Sequence, residues 1–299
     1  MHTESKTGSV LEAIGNTPLL NILGVYAKLE SLNPSGSVKD RAALEIIETA
    51  EREGKLRPGY TIVEASSGNM GISLAMVAAV KGYKMTVVMP ENMSEERKQM
   101  MRGLGAELVL TSVKGSLKEA VARAEEIGNN PGTFLSRQFS NPANIRAQER
   151  LGQEILDEIG PVDAVVAGVG TGGTLMGMAN VMRRANPSVK SIAVEPDEAA
   201  VMFKSEVLVI GAHRIQGIGD GFIPELCDMR CVDEAATVTS DEACEMSRRL
   251  AREFGLLVGI SAGANMVAAL RASQKYGKTA TVLPDRGERY LSMNLFNQS

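Results

Sequence analysis

From residue 40 onward the chain alternates between two hydrophobic periods, and this alternation restricts its possible folds more than any other feature. "RAALEIIETAEREG" sets Ala43, Ile46, Ile47 and Ala50 on one helical face and stops at Gly54, and "YTIVEA" then reads as a buried strand. "GISLAMVAAVKG" predicts a helix closed by Gly82, "KMTVVMP" a strand, "SEERKQMMRGLG" a helix opened by Ser94, and "ELVLTS" a strand. A helix at "SLKEAVARAEEIG" and a strand at "TFLSRQ" follow; after "SNPAN" come helix, "VDAVVAG", helix and "KSIAVEP". A less regular stretch runs from about 197 to 230, followed by helices around 241–254 and 262–273 and a strand at "TATVLP".

Strands separated by helices need crossover connections, so they lie parallel with helices on both faces. With 299 residues the chain exceeds one typical core. The expectation is an α/β protein of two three-layer domains with mostly parallel twisted sheets. The smaller spans 36–141, and the larger combines 1–35 with 142–299.

Composition removes several classes of function. Hydrophobic residues make up 44% and charged residues 23%, as in ordinary globular proteins. The formal net charge is −4 and no block of Lys or Arg could follow a phosphate backbone, which argues against a nucleic-acid partner. The apolar run "ISLAMVAAV" is too short to span a bilayer, and "MHTESKTGSV" lacks the basic and apolar regions of a secretory signal. A cytoplasmic protein with no membrane partner is expected. Cys227, Cys231 and Cys244 form no C-x-x-C pair, and with only His2 and His213 beside them no metal-ligand set is recognisable.

Two local features carry chemistry. "NPSGSVKDR" places Lys39 between a Pro/Gly/Ser turn and the predicted start of a helix, where unpaired N–H groups disfavour a cation. Either Lys39 is a solvated surface charge, or its amine is wanted neutral as a nucleophile for a carbonyl. "AGVGTGGTLMG" is a glycine loop between strand and helix. Gly168, Gly170 and Gly173 satisfy G-x-G-x-x-G and Glu195 ends the next strand, as in a nicotinamide dehydrogenase. Yet the loop lies past the middle of the chain, and Thr171 and Thr174 add hydroxyls suited to one phosphate monoester at a helix N-terminus.

A nucleophilic lysine and a single-phosphate cradle together suggest pyridoxal phosphate. The chain resembles the cysteine synthase (O-acetylserine sulfhydrylase) family, β-replacement enzymes of pyridoxal phosphate fold type II. The resemblance runs from "IGNTPLL" to "PDRGERYLSM" and rests on "KLESLNPSGSVKDR", "EASSGNMGISLA", "RQFSNPAN", "GVGTGGT", "IQGIGDGFIP" and "GISAGA" in that order. It implies a Schiff base on Lys39, which later moves the α-proton. Asn69 would bond the cofactor's phenolic oxygen, Gly170, Thr171, Gly172, Gly173 and Thr174 would hold its phosphate, and Ser261 would face its pyridine nitrogen. Ser66, Ser67, Asn69 and Met70 form the loop that would grip the substrate carboxylate with Gln138, while Gly217 and Asp220 complete the substrate side.

The implied reaction makes L-cysteine from O-acetyl-L-serine and sulfide through an aminoacrylate, in a homodimer. A neutral hydroxyl at Ser261 favours β-elimination over transamination. Met70 stands where the family usually has threonine, and Asp220 where a small apolar residue is common; "PDRGERYL" has Asp285 and Arg286 where many relatives have serines. Asp220 could act as a base towards a thiol or water. A cystathionine β-synthase-like reaction, a cysteine-consuming release of sulfide, a nicotinamide dehydrogenase and a non-catalytic binding protein remain as alternatives.

Overall fold

The computed structural model describes residues 8–114, 116–202 and 213–297. The opening segment read for a signal, His2 within it, and part of the irregular stretch after 197 lie outside these residues. In chain order the elements are β1 (Leu19–Ile22), β2 (Val25–Lys28), α1 (Lys39–Arg52), β3 (Thr61–Ala65), α2 (Asn69–Lys81) and β4 (Lys84–Pro90). Next come α3 (Glu95–Gly103), β5 (Glu107–Thr111), α4 (Ser116–Gly128), β6 (Thr133–Leu135), α5 (Ala143–Ile159), β7 (Ala164–Gly168), α6 (Gly173–Ala185) and β8 (Lys190–Pro196). The last are β9 (Glu234–Val238), α7 (Ser240–Phe254), α8 (Ile260–Tyr276), β10 (Thr279–Val282) and a closing 3-10 turn, Gly287–Met293.

The strands form two sheets, a six-stranded one in the order β1-β2-β10-β7-β8-β9 and a four-stranded one in the order β5-β4-β3-β6. All pairings are parallel except β1 with β2. Strands such as Lys84–Pro90 and Ala164–Gly168 read as continuous apolar runs because helices cover both faces of each sheet. The helix α2 is apolar around most of its circumference for the same reason, Met70 to Ala78 being buried throughout. It ends at Gly82, whose left-handed φ of 76° closes the last turn. Ser94 takes the N-cap position of α3, but its side chain makes no capping hydrogen bond.

The hairpin β1–β2 and the strand β9 are absent from the reading of the sequence. The hairpin strands have four residues each, and their turn is Leu23–Gly24, with φ of 54° and 86°. Positive φ at both central residues is the geometry of a tight type I′ turn, normally signalled by Asn-Gly; a leucine there hides it. The strand β9 follows the irregular stretch and its residues are mostly half-buried, so it lacks the apolar run of its neighbours.

The topology also fixes where a site belongs. In the smaller sheet β4 and β5 lie on one side of β3 and β6 on the other. In the larger sheet β8 and β9 lie on one side of β7 and β10 on the other. Chains leaving β3 and β6, or β7 and β10, therefore turn in opposite directions and open a crevice beyond the carboxyl ends of the strands.

Candidate active site

Segments leaving three of those strand ends, β3, β6 and β7, meet in one cleft. It has an empty volume of about 600 Å³ and is lined by Lys39, Ser66–Met70, Arg97, Leu117, Gln138, Phe139, Gly170, Thr171, Gln216, Gly217, Asp220 and Ser261. The cleft thus brings together Lys39, Ser66, Ser67, Asn69, Met70, Gln138, Gly170, Thr171, Gly217, Asp220 and Ser261 from the residues singled out in the sequence. Gly172, Gly173 and Thr174 continue from Thr171 into the first turn of α6.

Lys39 is the first residue of α1. The turn before it is closed by Gly36 N donating to Asn33 O at 2.7 Å, with Gly36 at φ 89°. Val38 N donates to Pro284 O at 2.8 Å and Arg286 N to Gly36 O at 3.2 Å, which fastens this turn to the segment leaving β10. Burial lowers the Lys39 pKa, and the carboxylates of Asp285 and Asp220 oppose that shift. Desolvation is the leading cause; it favours the neutral amine that carbonyl chemistry requires.

At the end of β3, Ser66 Oγ accepts from Gly68 N at 3.1 Å and Gly71 N at 3.0 Å, and so caps the start of α2. Ser67 and Asn69 are half-buried. The Met70 side chain is 2% exposed and belongs to the apolar core of the smaller sheet. It is a packing residue, and its thioether has little to offer a carboxylate. Gln138 Nε2 donates to Ala65 O at 2.8 Å, so part of its donor capacity is committed within the fold.

The loop after β7 is shaped by close backbone approaches. A side chain at Gly170 would strike the Gly217 carbonyl, and one at Gly173 the Asn144 side chain; Gly172 has φ 83°. Thr171 Oγ1 accepts from Asn144 Nδ2 at 3.1 Å. Buried threonine hydroxyls and the N–H groups opening α6 form a donor set that suits a compact phosphate. Ser261, 5% exposed, adds a neutral hydroxyl from the first turn of α8. Lysine amine, phosphate cradle and hydroxyl together fit pyridoxal phosphate.

Glu195 is not available for a ribose. It is 2% exposed and accepts from Val201 N at 3.0 Å and Met202 N at 3.1 Å. The carboxylate that made the dinucleotide pattern attractive instead anchors the chain after β8.

The reading of the sequence omitted Arg97, Leu117, Phe139 and Gln216. Arg97 is 3% exposed, with Nη1 donating to Ser67 O at 3.4 Å and a buried Nε without a hydrogen-bond partner. It arrives from α3, where its sequence context is that of an ordinary amphipathic helix. Phe139 and Gln216 lie inside motifs that could have signalled them, "RQFSNPAN" and "IQGIGDGFIP".

The profile of the family described as "Pyridoxal-phosphate dependent enzyme" matches residues 10–285. A cysteine synthase of Staphylococcus aureus (strain Mu50 / ATCC 700699) is 46% identical over 303 residues, covering 97% of each chain. The chain belongs to the cysteine synthase family of pyridoxal-phosphate dependent enzymes. The crystal structure of a cysteine synthase from Entamoeba histolytica superposes on this family member with a TM-score of 0.91 at 38% identity, covering 99% of this chain and 92% of that one. A hydrogen sulfide-producing enzyme from Fusobacterium nucleatum gives a TM-score of 0.89 at 40% identity, covering 95% and 99% respectively.

Asp220 lines the same cleft. Desolvation in the cleft raises its carboxyl above the ordinary range, and the nearby Lys39 and His213 oppose that shift. Among the described residues no helix is long and apolar enough to cross a membrane.

Proposed function

We infer that this enzyme makes L-cysteine from O-acetyl-L-serine and sulfide by β-replacement. The observation that carries this reading is the joining, in one cleft, of Lys39 with the neutral Ser261 hydroxyl, the phosphate loop and the Ser66–Met70 turn. Pyridoxal phosphate, when bound, supplies an electron sink for the pair left by the α-proton and so allows a β-substituent to depart.

Lys39 Nζ would hold the cofactor through its aldehyde carbon and, as a free amine, would move the substrate's α-proton. Backbone N–H groups opening α6 and the Thr171 and Thr174 hydroxyls would hold the phosphate. Asn69 Nδ2 would donate to the cofactor's phenolic oxygen. Ser261 would face the pyridine nitrogen with a hydroxyl, which would not hold a proton there as a carboxylate would. The turn from Ser66 to Met70, with the Arg97 guanidinium beneath it, orients the substrate carboxylate and excludes water. The cleft-facing carboxylate of Asp220 favours a second reading, in which it deprotonates a thiol or water and the enzyme releases sulfide from L-cysteine or accepts homocysteine.

The assignment further includes movement of the unit 36–141 against the unit formed by 1–35 and 142–299, a homodimer, and a cytoplasmic site of action. The sizes of the two sheets support the division, and sedimentation of the purified protein tests the dimer.

The deciding experiment follows the visible absorption of the purified holoenzyme. O-acetylserine should change the band, and sulfide should restore it with release of L-cysteine. A band indifferent to O-acetylserine overturns the primary reading. If L-cysteine instead changes it, and Asp220→Asn removes that response selectively, the second reading replaces the first.

A further inference from the structure

The Asn69 carboxamide is held at both ends by the segment that follows β10. Asn69 Nδ2 donates to Asp285 Oδ2 at 2.7 Å, and Arg289 Nη1 donates to Asn69 Oδ1. Tyr290 OH donates to the same Asp285 oxygen at 2.7 Å. Asp285, Arg289 and Tyr290 are 1%, 4% and 1% exposed, so the partners that hold the half-buried Asn69 amide are themselves buried. Arg289 Nη2 also donates to Ser35 O, in the turn that delivers Lys39.

A carboxamide is nearly symmetric in shape, and its partners alone decide which end carries the N–H groups. Turning Asn69 over would set its oxygen against the Asp285 carboxylate and its nitrogen against the Arg289 guanidinium. Both contacts would be like against like, beside an Asp285 and an Arg289 that are buried. The observed orientation leaves one Nδ2 hydrogen to give to a ligand in the cleft.

We propose that Asp285 and Arg289 are positioning residues that lock the Asn69 amide as a donor towards the cofactor, with Arg289 tying that lock to the turn before Lys39. The proposal deepens the functional assignment and rests on its reading that Asn69 touches pyridoxal phosphate. The lock spans the two sheets, because Asn69 opens α2 and Asp285 follows β10.

The test titrates cofactor-free full-length protein with pyridoxal phosphate, read by absorption and fluorescence, for wild type, Asn69→Ala, Asp285→Ala and the double variant. Asp285→Ala should weaken binding by about tenfold or more and shift the absorption maximum, as expected for losing a hydrogen bond to a charged group. In the Asn69→Ala background the same substitution should add almost nothing, because the residue it positions is gone. If the two losses multiply independently, or if Asp285→Ala binds as wild type, the lock is overturned. Wild-type binding by Asn69→Ala would instead remove the assignment of Asn69, and the lock with it. Should Asp285→Ala not fold, Asp285→Asn keeps the shape with an uncharged acceptor and is read in the same cycle, with a smaller loss expected. Arg289→Lys, which cannot bridge Asn69 and Ser35 with one planar fork, should reproduce the shift in absorption.

Discussion

The Arg41 guanidinium, two residues past Lys39, meets the Glu154 carboxylate through two hydrogen bonds, from Nη1 at 2.6 Å and Nη2 at 2.7 Å. Its Nε and Nη2 also reach the two oxygens of Glu30, at 2.7 and 2.8 Å. One side chain therefore ties the helix that starts at Lys39 to α5 and to the segment after β2. Glu30 is fully buried, whereas Glu154 keeps a second cation, Lys28 Nζ at 2.9 Å.

Removal of Arg41 should expose that difference. Arg41→Ala leaves the Glu30 charge buried and unpaired, so a loss of about 3–5 kcal/mol is expected in urea unfolding of the holoenzyme. Arg41→Ala combined with Glu30→Gln should recover part of it. A loss below about 1 kcal/mol in the single variant, the scale of an exposed pair, would contradict this account.

Lys39→Ala separates covalent attachment from folding. Borohydride reduction and peptide mass analysis should find the cofactor on the Lys39 peptide of the wild type and nowhere in the variant. Turnover should fall by about a thousandfold or more, as for loss of a proton-transferring group. Retention of both attachment and turnover would remove Lys39 from its assigned role.

Glu64 gives the enzyme a pH dependence of stability. It is 2% exposed and accepts from Ser136 Oγ at 2.7 Å and Gln138 N at 3.1 Å. Burial raises its pKa to about 7, against the effect of those hydrogen bonds. The folded protein thus keeps a proton that the unfolded chain releases near 4.5. Stability from this group is complete below that value and declines as pH rises towards 7, by on the order of 3 kcal/mol. Urea midpoints from pH 5 to 8 should show the decline, and Glu64→Gln should flatten it. An equal slope in both proteins would assign the dependence elsewhere.

Met70→Thr tests whether this departure from the family's usual residue concerns packing or binding. Because Met70, in the first turn of α2, is packed into the core, the substitution should cost about 1–3 kcal/mol of stability through lost apolar contacts. The KM for the amino-acid substrate should stay near the wild-type value, since the backbone N–H groups of the turn are unchanged. A large fall in KM at unaltered stability would show that the side chain faces the substrate.

The α/β architecture was legible because buried parallel strands and covering helices each leave a strong period in the sequence. "KMTVVMP" and "KSIAVEP" match β4 and β8 at both ends. The hairpin β1–β2 escaped because its strands are short and Leu23 occupies a backbone position usually announced by Asn. Glu195 misled for a different reason: spacing placed it at a strand end, but its backbone partners at Val201 and Met202 are a matter of local path.

Sequence alone determined the alternating elements and the order of the motifs, because each is a local pattern of residue types; the roles of Asn69 and Ser261 come only from the family resemblance that those motifs carry. Tertiary structure decided what those residues meet. Arg97 comes to the cleft from α3 and Asp285 to Asn69 across 216 positions of chain. Likewise Met70 is turned into the core and Gln138 towards Ala65. Such contacts depend on how two sheets pack and where their strand order reverses, and no local period in a sequence records the distance between residues that far apart.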